Sequence, residues 1–121
     1  MAAAWVQASG PRSFSAELGI RYSQYERNQL TVPAGVPLTI LLHNDDPIDH
    51  EWIVGDSAVH ERHRNGTDPV HGSRPTEVTI PAGTSRLTTI TFEAPGTYQY
   101  ICHLPGHEVY GMVGTIIVTD K

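Results

Sequence analysis

Cys102, His107 and Met112 stand in the order C-x4-H-x4-M, within the run Tyr98-Gln-Tyr-Ile-Cys102-His-Leu-Pro-Gly-His107-Glu-Val-Tyr-Gly-Met112-Val-Gly114. A thiolate, an imidazole and a thioether are soft or borderline donors, a set that suits copper better than magnesium, calcium or manganese. Cys102 is the one cysteine of the chain, so no internal disulfide and no CxxC-type zinc or redox pair can form. Tyr98, Tyr100 and Cys102 alternate, which predicts a strand that ends by fixing the sulfur. Pro105-Gly106 then turns the chain and brings His107 back over the same point. Gly111 permits close backbone approach just before Met112. A trigonal copper site also needs a second imidazole. His50 is the leading candidate, on a strand whose face it shares with Trp52 and Val54. His43 is the other; it has the parity of Thr39 and Leu41, opposite Leu38, Ile40 and Leu42. His103 has the opposite parity from Cys102 and is expected to point away from the metal.

The elements that must hold these donors are strands. With 121 residues the chain supports one domain and a core without disulfide staples. Only 17% of residues are charged, while 11 Gly, 9 Pro and many Val, Ile and Thr favour short strands and turns over helices. Alternation marks strands near 13–19, 28–32, 38–42, 50–54, 86–92, 98–102 and 114–119. Thr31-Val-Pro-Ala-Gly35 recurs as Thr79-Ile-Pro-Ala-Gly83, one corner used twice. The expected fold is all-β: a Greek-key β-sandwich of two antiparallel sheets. The expected organisation is an N-terminal extension at 1–12, disordered or trimmed, and a single domain at 13–121 with a long polar loop at about 56–75. Within that loop 57–64 has room for a helical turn or two. The formal charge of −5, with 8 basic residues and no basic tract, disfavours nucleic acid as a partner. The longest apolar runs are far too short to span a membrane, and no signal peptide is visible at Met1-Ala-Ala-Ala-Trp5.

Over roughly residues 14–119 the sequence resembles the cupredoxins, the small blue copper proteins. The resemblance rests on Asn44-Asp-Asp-Pro-Ile-Asp-His50-Glu-Trp52, on the two Pro-Ala-Gly corners and on the run from Tyr100 to Gly114. The ligand loop is most similar to the rusticyanin, auracyanin and sulfocyanin type. The resemblance implies one type 1 copper ion held by His50, Cys102 and His107, with Met112 as a weak axial ligand. It further implies one-electron transfer between larger redox proteins, a non-enzymatic role, and a periplasmic or other extracytoplasmic location. An apolar shell of Trp52, Leu104, Pro105, Val109, Tyr110 and Val113 is expected around the ion and should raise its potential.

Several further expectations concern the surroundings. Glu51 and His103 occupy positions where many cupredoxins carry small polar residues, and a carboxylate–imidazole hydrogen bond between them would tie the two ligand loops together. Leu104, Pro105, Val109 and Tyr110 around His107 would form the electron-exit and partner-docking patch. His60, His63 and His71 read as a polar surface loop, with a loose second metal site as the other reading. Two alternative functions stand beside electron transfer: an extracytoplasmic copper carrier, and a domain cut from a larger copper oxidoreductase. With Met1 and Met112 the only methionines, the chain lacks the Met-rich character of a carrier.

Overall fold

The computed structural model describes residues 13–66 and 73–120. The expected 1–12 extension and His71 lie outside the described residues. In chain order the elements are β1 (Phe14–Arg21), β2 (Gln24–Tyr25), β3 (Gln29–Pro33), β4 (Leu38–Asn44), β5 (His50–Gly55), α1 (Ser57–Arg64), β6 (Ser73–Arg74), β7 (Glu77–Ile80), β8 (Ser85–Ile90), β9 (Gly96–Ile101), α2 (His107–Tyr110) and β10 (Val113–Thr119). They form a four-stranded sheet in the order β2-β1-β4-β8 and a six-stranded sheet in the order β3-β10-β9-β5-β7-β6.

Alternation translates directly into burial. In β4, Leu38, Ile40, Leu42 and Asn44 face inward while Thr39, Leu41 and His43 do not. In β10, Gly114, Ile116 and Val118 are the buried set. These faces meet Leu18, Ile20, Trp52, Val54, Tyr100, Cys102 and Met112 in one core between the sheets. Trp52 and Tyr100 lie ring to ring, 5.8 Å between centroids, and Tyr25 meets Tyr100 edge-on at 5.1 Å.

The sandwich forms as expected, but neither sheet is purely antiparallel. β1 pairs with β4 in parallel, Phe14 opposite Leu38, and β10 pairs with β3 in parallel, Ile116 opposite Leu30. The physical reason is the route of the chain. Between β1 and β4 it leaves the first sheet to lay down β3 in the second, so β4 returns running the same way as β1.

Strand β5 is buried on both faces, from His50 to Val54. Its inner face carries His50, Trp52 and Val54; its outer face lies under α1, the helical turns expected within the polar loop at 57–64. Asp56 caps this helix by accepting the Val59 N–H at 3.1 Å. Its last turn holds Arg62, His63 and Arg64, favourable at the negative end of the helix dipole. His60 and His63 on α1 are buried, which corrects the expectation of a surface loop for those two histidines.

Candidate metal centre

Three side chains from two parts of the chain converge at one end of the core. His50 opens β5 and pairs with Ile80 of β7, which fixes its backbone at the sheet end. Cys102 lies one residue past β9, and β9 is held between β5 and β10. His107 begins α2, a single turn bounded by Gly106 at φ 81° and Gly111 at φ 109°. Both glycines adopt the left-handed conformation that other residues pay about 1–2 kcal/mol to enter, and this lets so short a turn return toward the sheet.

The donor atoms lie close together. His107 Nδ1 is 3.2 Å from Cys102 Sγ and 3.3 Å from His50 Nδ1, and the three lie within 4.8 Å of one another. An ion held at about 2.1 Å by two donors in a trigonal arrangement separates them by roughly 3.6 Å, so this spacing suits donors sharing one ion. Among the described residues no other group of three such side chains meets that spacing. His43 is exposed and engages Ser85 and Asp45, as its strand parity required.

Met112 is fully buried, and its backbone ties the loop shut. Its N–H donates to His107 O at 3.1 Å, and its carbonyl accepts from Cys102 N–H at 3.2 Å. The loop is also anchored from outside: the Gln24 side-chain amide donates through Nε2 to Tyr110 O at 3.0 Å. His50 and Cys102 are buried, while His107 is half-buried and alone among the four reaches the surface.

Burial sets the protonation of the donors. Burial pushes the Cys102 thiol up to about 11, against the pull of N–H groups from Glu51 and Leu104. The Glu51 N–H points at the sulfur at 3.3 Å. A thiol so placed stays protonated at neutral pH until a metal displaces the proton. Burial and the neighbouring His50 hold His107 below the ordinary imidazole range, leaving its lone pair free to ligate.

His103 turns away from this centre, as parity predicted, but its partner is not Glu51. Its Nε2 meets His60 Nδ1 at 2.8 Å, and its Nδ1 faces Glu108 Oε1 at 3.7 Å. The ring also stacks on His63, 5.3 Å between centroids and 15° from parallel. The expected Glu51–His103 bond therefore gives way to an imidazole pair, because α1 packs its own histidines over β9. His60 Nε2 donates to the Gln99 carbonyl at 2.8 Å, so its Nδ1 must accept and His103 must donate. Burial holds His60 below its usual range and takes His103 down to about 4.

The proposed docking residues flank His107 along the chain. Val109 is 94% exposed and Tyr110 63%, with Pro105 also exposed, so Pro105, Val109 and Tyr110 are not the inner shell anticipated for the ion. Leu104 is partly buried against the core. The rim is fixed by Arg64 of α1, which grips the Glu108 carboxylate with Nε at 3.1 Å from both oxygens and Nη2 at 2.7 Å.

One residue near the centre carried no role in the sequence reading. Asp46 is 7% exposed and its Oδ2 lies 2.7 Å from His50 Nε2. Burial works to raise its pKa, but the N–H groups of Ser23 and Tyr22 and the His50 ring outweigh it and hold the carboxyl low. The signal available in the sequence was an acid in the same loop as a candidate histidine, too common a pattern to single out.

The fold and the cluster define a cupredoxin-type domain. The chain belongs to the plastocyanin/azurin family of copper binding proteins, whose model matches residues 14–119. It is similar to auracyanin-B of Chloroflexus aurantiacus, 34% identical over 110 residues that cover 78% of this chain and 47% of that protein. It is also similar to the copper-resistant cuproprotein CopI of Rubrivivax gelatinosus, at 26% identity covering 78% of this chain and 59% of that one. The chain thus spans about half the length of these curated relatives. Among solved structures, auracyanin A of Chloroflexus aurantiacus, described as a "blue" copper protein, superposes with a TM-score of 0.67 at 28% identity, covering 91% of this chain and all of the other.

Proposed function

We propose that this chain is a blue copper electron-transfer domain, with His50, Cys102, His107 and Met112 as the ligands of one copper ion. The observation that carries the reading is the convergence of His50 Nδ1, Cys102 Sγ and His107 Nδ1 on one point at the end of a rigid sandwich. Copper bound there supplies a one-electron couple between its Cu(I) and Cu(II) states. The protein's part is to hold the donors still. His50 is fixed by sheet pairing, Cys102 and Met112 by their mutual backbone bond, and His107 by the turn of α2. A site already assembled needs little rearrangement when the charge changes, which keeps transfer fast.

The half-exposed His107 ring, rimmed by Pro105, Val109, Tyr110 and Leu104, is the point of electron entry and exit, and donor and acceptor redox proteins dock there. Such a role is that of a carrier and not an enzyme. The resemblance to extracytoplasmic blue copper proteins supports a periplasmic or cell-surface location; among the described residues no helix is long and apolar enough to cross a membrane. The alternative, a copper-handling role like that suggested by the name of the CopI relative, requires ready metal exchange, and the burial of His50, Cys102 and Met112 argues against it.

The test is to titrate Cu(II) into the apoprotein. One equivalent should give an intense visible thiolate-to-copper band that bleaches on reduction and returns on oxidation. A pale spectrum, or one that survives Cys102→Ser, would overturn the assignment.

A further inference from the structure

The carboxylate behind His50 has a setting that copper binding alone does not require. Asp46 Oδ1 accepts the Tyr22 N–H at 2.7 Å, and Oδ2 accepts the Ser23 N–H at 2.8 Å as well as lying 2.7 Å from His50 Nε2. Tyr22 and Ser23 form the two-residue turn between β1 and β2, since Arg21 pairs with Gln24. Both adopt left-handed φ angles, 57° and 54°, without being glycine. That conformation suits a tight hairpin and aims successive N–H groups into one concavity, but it is strained for these residues. Here the concavity is filled by Asp46. Its own N–H is in turn held by Asn44 Oδ1 at 2.9 Å.

Every partner of the carboxylate is a donor. The two backbone groups can only donate, and His50 must present Nε2–H on this side if Nδ1 is to keep a lone pair for the metal. Two oxygens that accept from three donors describe an ionised carboxylate held in place from three directions. A metal-ligating histidine backed by a carboxylate is oriented, fixed in one tautomer and made more basic.

We propose that Asp46 is a positioning residue for the metal centre: it locks His50 in the Nε2–H tautomer and sets a fixed negative charge behind the ligand that favours the oxidised ion. The inference rests on the copper reading for its redox half, while its tautomer half concerns the apoprotein alone. The charge works against the apolar surroundings of the site, which favour the reduced ion, so the potential is a balance of the two.

Two measurements test this. In the unaltered apoprotein, nitrogen-15 NMR should show His50 protonated at Nε2 and bare at Nδ1; an Nδ1–H tautomer would overturn the lock whether or not copper binds. In the copper-loaded protein, Asp46→Asn should retain the visible band yet raise the Cu(I):Cu(II) ratio at fixed solution potential at least about tenfold, which is 59 mV for a one-electron couple. Asp45→Asn is the control, because Asp45 pairs at the surface with Arg21 and His43 and should move that ratio less than about twofold. An Asp46→Asn shift no larger than the Asp45 control, with the spectrum intact, would refute the electrostatic role. Should Asp46→Asn fail to fold, the NMR tautomer of the unaltered chain decides the positioning claim. Failure of the unaltered protein to develop the band would instead count against the copper reading.

Discussion

Asn44 offers the sharpest test of how the sandwich holds its metal-binding end. It closes β4 in one sheet, yet its side chain serves the other. Nδ2 donates to Ile48 O and Ile80 O, each at 2.9 Å, and more weakly to Pro81 O at 3.4 Å. Oδ1 accepts the Asp46 N–H, and the residue is fully buried. Asn44→Ala removes three good hydrogen bonds at about 1 kcal/mol each and leaves buried groups without partners, a cost that partly overlaps; we expect a loss of about 3–4 kcal/mol. Asn44→Asp should be at least as damaging, since a carboxylate oxygen would then face two carbonyl oxygens. The assay is urea unfolding of the apoprotein, followed by tryptophan fluorescence. At a slope near 1.5 kcal/mol per molar urea, the midpoint should fall by about 2 M in the alanine variant. A drop below about 0.5 M, or an aspartate variant as stable as the original, would refute the view that this one side chain clamps the sheets together beside the metal.

Three more outcomes follow from the same geometry. A Cβ at Gly114 would collide with the ring of Tyr100, which is fully buried and donates its hydroxyl to Arg27 O, so Gly114→Ala should cost about 2–3 kcal/mol in the same unfolding assay, and a neutral result would mean the ring moves freely. Because His60 and His103 are held below the ordinary imidazole range, the unfolded chain binds more protons than the folded one as pH falls from about 6.5 toward 4; apoprotein stability should be full above that window and decline by on the order of 2 kcal/mol across it, a slope His103→Gln should reduce, whereas a flat or inverted profile would contradict the assigned burial. Val109→Glu should leave the visible band and stability unchanged while slowing electron self-exchange between two copies at low salt at least several-fold, and an unchanged rate would remove this patch from the docking surface.

Much of this was readable from residue order. Alternation located β4, β5, β9 and β10 to within a few residues, because each has one face on a shared core. The spacing of Cys102, His107 and Met112 was legible because the loop is local and its turn chemistry is explicit. Other features depend on which distant segments become neighbours, and no periodicity encodes that. The parallel pairings of β1 with β4 and β3 with β10 follow from the path of the chain. The helical turns expected at 57–64 form as α1, but that they cover β5 was not legible, because the face they bury is made of histidines, not leucines. For the same reason residue order points to Glu51 as the partner of His103, whereas the folded chain gives His103 to His60.

His107 alone, of the four proposed ligands, opens to solvent, and this single doorway constrains the order of events in a working cycle. A donor and an acceptor that both need the same aperture cannot occupy it at once. Traffic must therefore alternate: one visitor delivers, departs, and only then does the next collect. Turnover in such a relay is governed by how quickly each partner lets go, so weak, short-lived encounters serve it better than tight ones.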